Sequence, residues 1–337
     1  MTASTPRVSV LIPVRDAAPT LGSCLRSVQR QTEANWECVV VDDGSSDASA
    51  DIVADFARSD PRIRSLRGPR EGITPALNRG LDACRAPLVA RLDADDWMHR
   101  ARLRLQCDTL DGAPGWAGVG CHVRLFPRRA LGPGMRAYEE WLSAICTPED
   151  VRRESTVECP LPHPSLLLRT GLLRDFGYRD RGWPEDYDLV LRLLAAGHTL
   201  GIVPRRLLGW RHGPERLSQT DVRYTAARFT ACKARFLADG FLARGQTYLL
   251  WGYGGTGRDL ARALAECGRR PERIVDIHPR RLGQRIADAP VVAPARLGPP
   301  GRLPLIVSVA GAEARARIRA FLARAGWREG ADFVCAA

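Results

Sequence analysis

Residues 88–97 read LVARLDADDW, a β-type apolar run that ends abruptly in three carboxylates, Asp93, Asp95 and Asp96. Such a charge cluster beside a buried segment is costly unless something cationic neutralises it. Alternate residues of an extended strand face the same side, so the spacing predicts that Asp93 and Asp95 converge at the carboxyl end of a strand while Ala94 faces away. A hard divalent ion such as Mg2+ or Mn2+ takes oxygen ligands and keeps positions open for phosphates, which suits one or two carboxylates at a strand end. A solvated acidic turn that caps the next helix is the competing reading of this segment alone.

Upstream, VSVLIPV (8–14) and WECVVVDDGSSD (36–47) are two more short, buried-type strands, each running into polar or turn residues. Leu21, Leu25 and Val28 recur between them at helical spacing, Ile52, Val53 and Phe56 follow Asp47 in the same way, and residues 73–84 read as a third helix before a strand at 87–93. This alternation predicts an α/β fold with a mainly parallel sheet, helices on both faces and ligands beyond the carboxyl ends of the strands. Pro13, Asp42, Asp43 and Asp93 to Asp96 all fall at such ends. Asp42 is open to a second reading, as the cap of the Gly44-Ser45-Ser46 turn.

Seven stretches then resemble the family-2 glycosyltransferases, whose nucleotide-sugar-binding fold is called GT-A. They are VSVLIPVRD at 8–16, VVVDDGSSD at 39–47, GITPALNRGL at 72–81, ARLDADD at 90–96, PHPSLLLR at 162–169, PEDYDLVLRLLAAG at 184–197 and WRHGPERLS at 210–218. They cover roughly residues 7–220 in the family's order and imply a mixed sheet flanked by helices, forming a catalytic domain over 1–220. The resemblance implies that Pro13, Val14 and Arg15 line the donor's base and that Asp43 accepts its imide N–H, with Asp42 beside it or on ribose. It implies a metal carboxylate at Asp95, Asp93 near ribose and metal-bound water, and a donor contact at Asn78. His212 is implied to meet the metal or diphosphate, although a lone histidine is otherwise structural or exposed. His163 and Trp183 are expected on the acceptor side; for His163 a hydrogen bond to a loop explains the residue equally well. Leu77 stands where many relatives carry arginine, so a phosphate or ribose contact is either missing or supplied by Arg70 or Arg79.

In PEDYDL, Pro184 suits a first helical turn, Leu189, Leu193 and Leu194 form an apolar face, and Glu185 and Asp186 sit where the helix dipole favours negative charge. Capping alone would account for the acids. By the resemblance Asp186 is the general base that deprotonates the acceptor hydroxyl, with Glu185 beside it, and a metal with Asp95 stabilises the leaving diphosphate. Single displacement with inversion is implied.

Residues 220–242 read as one helix, with Tyr224, Ala227, Phe229, Ala231, Ala234 and Phe236 among its packing candidates; as a linker (221–244) it leads to a second unit over 245–337. There a strand at Thr247–Trp251 runs into Gly252-Tyr253-Gly254-Gly255-Thr256-Gly257, and Leu260, Ala261, Leu264 and Ala265 repeat at helical spacing. Asp276 closes the next strand about 20 residues on, where a dinucleotide fold places an acid for ribose. With strands expected near 273–277, 304–309 and 332–335, this is a small Rossmann-like accessory domain. Its glycines could bind a nucleotide, bind a sugar nucleotide or serve close packing and assembly.

The 337 residues, 45% hydrophobic, suffice for two cores. No apolar run reaches the ~20 residues of a membrane span, and MTASTPR lacks a signal-peptide core, so a cytoplasmic protein is expected. Ten cysteines without CxxC pairs read as buried thiols in a reducing compartment. The net charge of +12 is carried by arginines spread along the chain with Lys233 the sole lysine, which reads against nucleic acid; loose peripheral contact with an anionic inner membrane face is compatible with it, although no basic block marks that contact. The expected partners are a nucleoside-diphosphate sugar, UDP-linked by family habit, and a carbohydrate or lipid-linked acceptor in surface polysaccharide or glycoconjugate assembly. The alternative is a nicotinamide-dependent oxidoreductase or sugar-nucleotide sensor acting through the glycine-rich unit; it lacks a Tyr/Lys or Cys/His catalytic set in 245–337. A nucleotidyltransferase would need a basic glycine-rich loop after the first strand, which VSVLIPVRDAAP does not supply.

Overall fold

A computed structural model describes residues 5–213 and 216–337, apart from the side chain of Ser218. Pro214 and Glu215 of the WRHGPERLS motif therefore lie outside the described residues. The chain divides into two compact units. One comprises residues up to Val151 with Pro160–Arg181 and Asp188–Arg216; the other comprises Arg152–Cys159, Gly182–Tyr187 and Leu217–Ala337. The division differs from a simple cut at residue 220, because two short segments of the amino-terminal part belong to the second unit.

In the first unit, β1 (Val8–Val14) and β2 (Trp36–Asp42) are buried along their whole length. They pair in parallel with each other; β3 (Ile63–Arg67) adds to β2 and β4 (Leu88–Arg91) to β1, again in parallel. Near-continuous Val, Ile and Leu runs are what strands covered on both faces require. The covering helices are α1 (Ala18–Gln29), α2 (Ser49–Ser59) and α3 (Ile73–Ala83). Leu21, Leu25 and Val28 are fully buried as their spacing predicts, each contributing about 1.5–3 kcal/mol by leaving water. Helix α1 has no capping side chain of its own. The N–H of Ala18 donates to Asp47 Oδ2 and that of Ala17 to Ser49 Oγ, so the loop after β2 satisfies donors that the helix start leaves open.

Beyond β4 the sheet becomes mixed. β5 (Trp97–Met98), β6 (Trp116–Phe126), β7 (Leu167–Arg169) and β8 (Thr199–Arg211) complete eight strands in the order β3-β2-β1-β4-β7-β6-β8-β5. β7 is antiparallel to both neighbours, β6 and β8 run parallel, and β5 is antiparallel to β8. A hairpin-like excursion thus extends the parallel half, and the carboxyl ends of β1, β2 and β4 stay together. The helix α4 (Arg102–Gly112) follows β5.

The second unit holds a six-stranded sheet in the order β11-β12-β10-β9-β13-β14, from β9 (Thr247–Trp251), β10 (Arg270–Val275), β11 (Arg285–Ile286), β12 (Ala289–Val292), β13 (Leu305–Val307) and β14 (Phe333–Cys335). All pair in parallel except β11, antiparallel to β12 at the edge. β10 starts earlier than the expected 273, and the short pair β11 and β12 has no periodic signal long enough to read. The glycine-rich turn leads into α5 (Gly255–Glu266), in which Leu260, Ala261 and Leu264 are buried; Ala265 is exposed and Ala263 takes its place in the core.

The single helix expected over 220–242 is broken. A short turn of helix at Leu217–Thr220, a 3-10 turn at Val222–Tyr224 and then α6 (Ala226–Asp239) occupy it. Asp221 accepts the N–H of Arg223 and its guanidinium, a local side-chain bond that competes with helix continuation. The break shifts the buried face, so Cys232, Ala234, Leu237 and Ala238 pack inward and Ala227 is exposed. Eight of the ten cysteines are buried thiols; Cys267 is half-buried and Cys146 is exposed. Among the described residues no helix is long and apolar enough to cross a membrane.

Candidate active site

The three carboxylates of LDADDW come together, by a route other than strand alternation. β4 stops at Arg91, and Asp93 to Asp96 form a turn closed by the Asp96 N–H on the Asp93 carbonyl, 3.1 Å. Ala94 turns away into the core, as its position predicts. Because the backbone turns, Asp96 swings in too, and one oxygen from each of Asp93, Asp95 and Asp96 lies within 4.8 Å of the others. His212 is outside this group. Its backbone N–H donates to the Phe126 carbonyl, 2.8 Å.

The cationic neighbours that the charge cluster demands are arginines. Arg91, 4% exposed, donates to Asp93 Oδ1 at 2.6 Å, and Arg216 approaches Asp93 Oδ2 at 3.5 Å and Asp95 Oδ2 at 3.9 Å. Arg211 donates its backbone N–H to Asp96 Oδ1 at 2.7 Å and its Nε to the Asp95 carbonyl at 2.8 Å. Burial opposes ionisation of Asp93, and the charges of Arg91 and Arg216 with the Arg91 hydrogen bond outweigh it, leaving the pKa below the usual carboxylate range. Asp95 is raised by burial and by the charge of Asp93. Asp96 is raised well above by burial and by both neighbouring aspartates, and its Oδ2 is buried with no hydrogen-bond partner among the described residues. An orphaned carboxylate oxygen in a hard, all-oxygen donor set is what a divalent cation would satisfy. Asp93, Asp95 and Asp96 fit such an ion.

At the ends of β1 and β2 the carboxylates hold loops. Asp43, 4% exposed, accepts the N–H groups of Glu71 and Gly72, one on each oxygen, both at 2.9 Å, with Arg15 3.7 Å away. Asp42 Oδ1 accepts the Ser45 N–H at 2.9 Å, the turn-capping role, while its buried Oδ2 has no hydrogen-bond partner among the described residues and lies 3.9 Å from Arg67. Pro13 and Val14 are buried within β1. The side-chain amide of Asn78 is spent on the backbone of Tyr178, accepting its N–H and donating to its carbonyl, each at 3.0 Å; it clamps a loop, which competes with the donor contact expected of it. Leu77 is core, and Arg70 and Arg79 face Asp16 and Glu71.

His163 is buried, with its Nε2 3.1 Å from the Tyr178 hydroxyl. Burial, with the positive charge of Arg91, holds its pKa well below the ordinary value against the pull of Asp93, so the ring is neutral at pH 7.

Glu185 and Asp186 open α7 (Glu185–Ala195), and both lie in the segment Gly182–Tyr187 of the second unit. Glu185 is 4% exposed and accepts the Tyr224 hydroxyl on Oε2 at 2.5 Å. Asp186 and Trp183 are half-buried, and Asp186 Oδ1 accepts the Tyr187 N–H at 2.7 Å.

The glycine-rich turn divides by cause. A Cβ on Gly252, whose φ is +95°, would sit 2.9 Å from the Ser308 carbonyl, and one on Gly257 would sit 2.1 Å from the Gly252 carbonyl; Gly254 and Gly255 face open space. Packing therefore accounts for Gly252 and Gly257 only. Gly257→Ala should lower the unfolding free energy by about 1–3 kcal/mol, the scale of overpacking against backbone. Gly255→Ala should be neutral or slightly stabilising through helix propensity; equal denaturant midpoints for the two variants would defeat the packing account. The Asp276 carboxylate is engaged by the N–H groups of Tyr253 and His278 and by Arg281. Burial opposes its charge, and these bonds prevail and lower its pKa.

Sequence reasoning missed Arg91, Arg211, Arg216 and Tyr224. Arg91 carried a signal, since it precedes Asp93 by two residues and so shares its side of an extended chain.

A family model described as glycosyl transferase family 2 matches residues 9–170. The putative glycosyltransferase EpsH of Bacillus subtilis is 37% identical over 95 residues, 28% of each chain. The amylovoran biosynthesis glycosyltransferase AmsE of Erwinia amylovora is 27% identical over 216 residues, covering 63% of this chain and 78% of that one. The alignments span 28% of EpsH and 38% of a second Bacillus subtilis relative, EpsJ. In structure, residues 1–349 of S. aureus TarS in complex with UDP-GlcNAc superpose with a TM-score of 0.55 at 16% identity, covering 77% of this chain and 71% of that one. The mannosyltransferase PcManGT of Pyrobaculum calidifontis, in complex with GDP-Man and Mn2+, gives 0.52 at 20%, covering 78% and 70%.

Proposed function

Residues 9–170 match glycosyl transferase family 2, and from that match we propose that this chain is an inverting, metal-dependent glycosyltransferase acting in surface polysaccharide or glycoconjugate assembly. The observation that carries the reading is the turn after β4, where three carboxylate oxygens lie within 4.8 Å of one another and one buried oxygen of Asp96 lacks a partner among the described residues. A divalent cation, Mg2+ or Mn2+, would be held by Asp93, Asp95 and Asp96 and would supply positive charge to the departing nucleoside diphosphate.

The chain's own residues do the rest. Asp43 and Arg15 receive the base at the ends of β1 and β2. Arg91 keeps Asp93 ionised, so the acid nearest ribose stays an acceptor. Asp186 takes the proton from the acceptor hydroxyl as its oxygen forms a bond to the anomeric carbon and the bond from that carbon to the diphosphate oxygen breaks. One displacement on one face inverts the centre and needs no covalent sugar–protein intermediate.

A UDP-sugar is the donor we favour, by family habit and by the UDP-GlcNAc in complex with TarS; the GDP-Man of PcManGT is the competing case. Nucleoside-diphosphate release from a panel of UDP-, GDP- and dTDP-sugars, with Mn2+ and with EDTA, tests this directly. We expect release from a UDP-sugar that EDTA abolishes and added Mn2+ restores. Undiminished release in EDTA would remove the metal from the reading, and release confined to GDP-sugars would replace the donor.

A further inference from the structure

The second unit contains the segment Gly182–Tyr187, and with it both candidate catalytic acids. Resting on the reading of Asp186 as the base, we propose that the carboxyl-terminal unit is the mount of that base, and that Tyr224 is the positioning residue through which it acts.

Three contacts from one short stretch carry the argument. Tyr224, at the end of the 3-10 turn, donates its hydroxyl to Glu185 Oε2 at 2.5 Å. Phe229, one turn into α6, packs its ring 5.6 Å from that of Tyr187, which is fully buried and donates its own hydroxyl to the Ser155 carbonyl at 2.7 Å. Lys233, a further turn on, gives its ammonium to the carbonyls of Val157, 2.6 Å, and Ala336, 2.8 Å. Residues 229 and 233 share one helical face; Glu185 and Tyr187 flank Asp186 on both sides, and Val157 lies on the segment Arg152–Cys159.

The carboxyl terminus closes the same arrangement. Thr156 donates to the Cys335 carbonyl at 2.7 Å, and Arg319 pairs with Glu154 at 2.9 Å. A buried amine is expensive, and burial brings Lys233 down to about 8. It is the chain's sole lysine, and its two carbonyl partners tie residue 157 to residue 336. Tyr224 is pushed far up by burial and by the charges of Glu185 and Asp186, so its O–H remains a donor at every working pH. A hydroxyl bonded to an ionised carboxylate is among the stronger hydrogen bonds. It fixes the first turn of α7, and Asp186 is the next residue on that turn.

The test uses the full chain and the donor and acceptor assay that Asp186→Asn defines. Tyr224→Phe keeps the ring and removes the bond. We expect kcat to fall roughly 10- to 100-fold, the scale of a displaced catalytic group, with donor affinity unchanged and a cooperative melt near that of the parent. The double variant with Glu185→Leu, which deletes the acceptor as Tyr224→Phe deletes the donor, should be no slower than the slower single, because both remove the same bond. Parental kcat in Tyr224→Phe, or fully multiplicative losses in the double variant, would overturn the proposal while leaving Asp186 as the base. If Asp186→Asn itself turns over normally, the reading of the base fails first, and this inference with it.

Discussion

Asp186→Asn is expected to lower kcat by ~10²–10⁴-fold, the range for loss of a general base, with donor affinity nearly intact. The substitution is close to isosteric, and its amide oxygen can still accept the Tyr187 N–H that Asp186 Oδ1 accepts at 2.7 Å, so the helix start is preserved. What disappears is a basic oxygen able to hold the acceptor's proton. Glu185 is not expected to take over, being 4% exposed with one oxygen already receiving the Tyr224 hydroxyl. Initial rates at saturating donor and acceptor, beside calorimetric donor binding, make the check. Strong loss of donor binding with parental turnover at saturation would take Asp186 out of the catalytic role.

The alternation of buried strands with amphipathic helices made the parallel half of the first sheet legible, because β1, β2 and the helix carrying Leu21, Leu25 and Val28 are specified by local pattern alone. The mixed half was less so. β7 has three residues and β5 two, too short for any period to show, and their pairing is decided by tertiary contacts. The acid cluster was legible as chemistry and misread as geometry. Treating residues 87–93 as one strand put Asp93 and Asp95 on one side without Asp96, whereas the strand ends at Arg91 and a turn gathers all three. Charge balance pointed to a cation without saying that arginines stand there as well.

Asn78 shows a different limit. Its place in the third motif suggested a donor contact, and only the fold reveals Tyr178, 100 residues away, taking both ends of its amide. The helix after residue 220 failed for a local reason: Asp221 binds Arg223 and interrupts the ladder, and that break brings Tyr224 to Glu185. A non-local partner of this kind leaves no periodic trace in the sequence.

Asp95→Asn should remove the metal-dependent part of nucleoside-diphosphate binding, weakening UDP affinity in Mn2+ by more than the ~10- to 100-fold that follows loss of an outer-shell partner. Asp95 is the informative position of the three. Removing the Asp93 carboxylate would strip Arg91, itself 4% exposed, of a partner at 2.6 Å, and a fall in stability would obscure the result. Asp95 meets Arg211 through its backbone carbonyl, which the substitution leaves in place. Its side chain is pushed toward the neutral form by burial and by Asp93, so neutralising it relieves repulsion among three acids. The metal-free variant should therefore melt no lower than the parent. Mn2+ should raise the parent's Tm, since a ligand that binds the folded state stabilises it, and should leave the variant's Tm unmoved. Asp96→Asn is expected to behave alike, because its unpartnered Oδ2 is the oxygen that most needs a cation. Calorimetry that finds the same Mn2+ dependence of UDP binding in Asp95→Asn as in the parent would show that the ion, if the protein uses one, is held elsewhere.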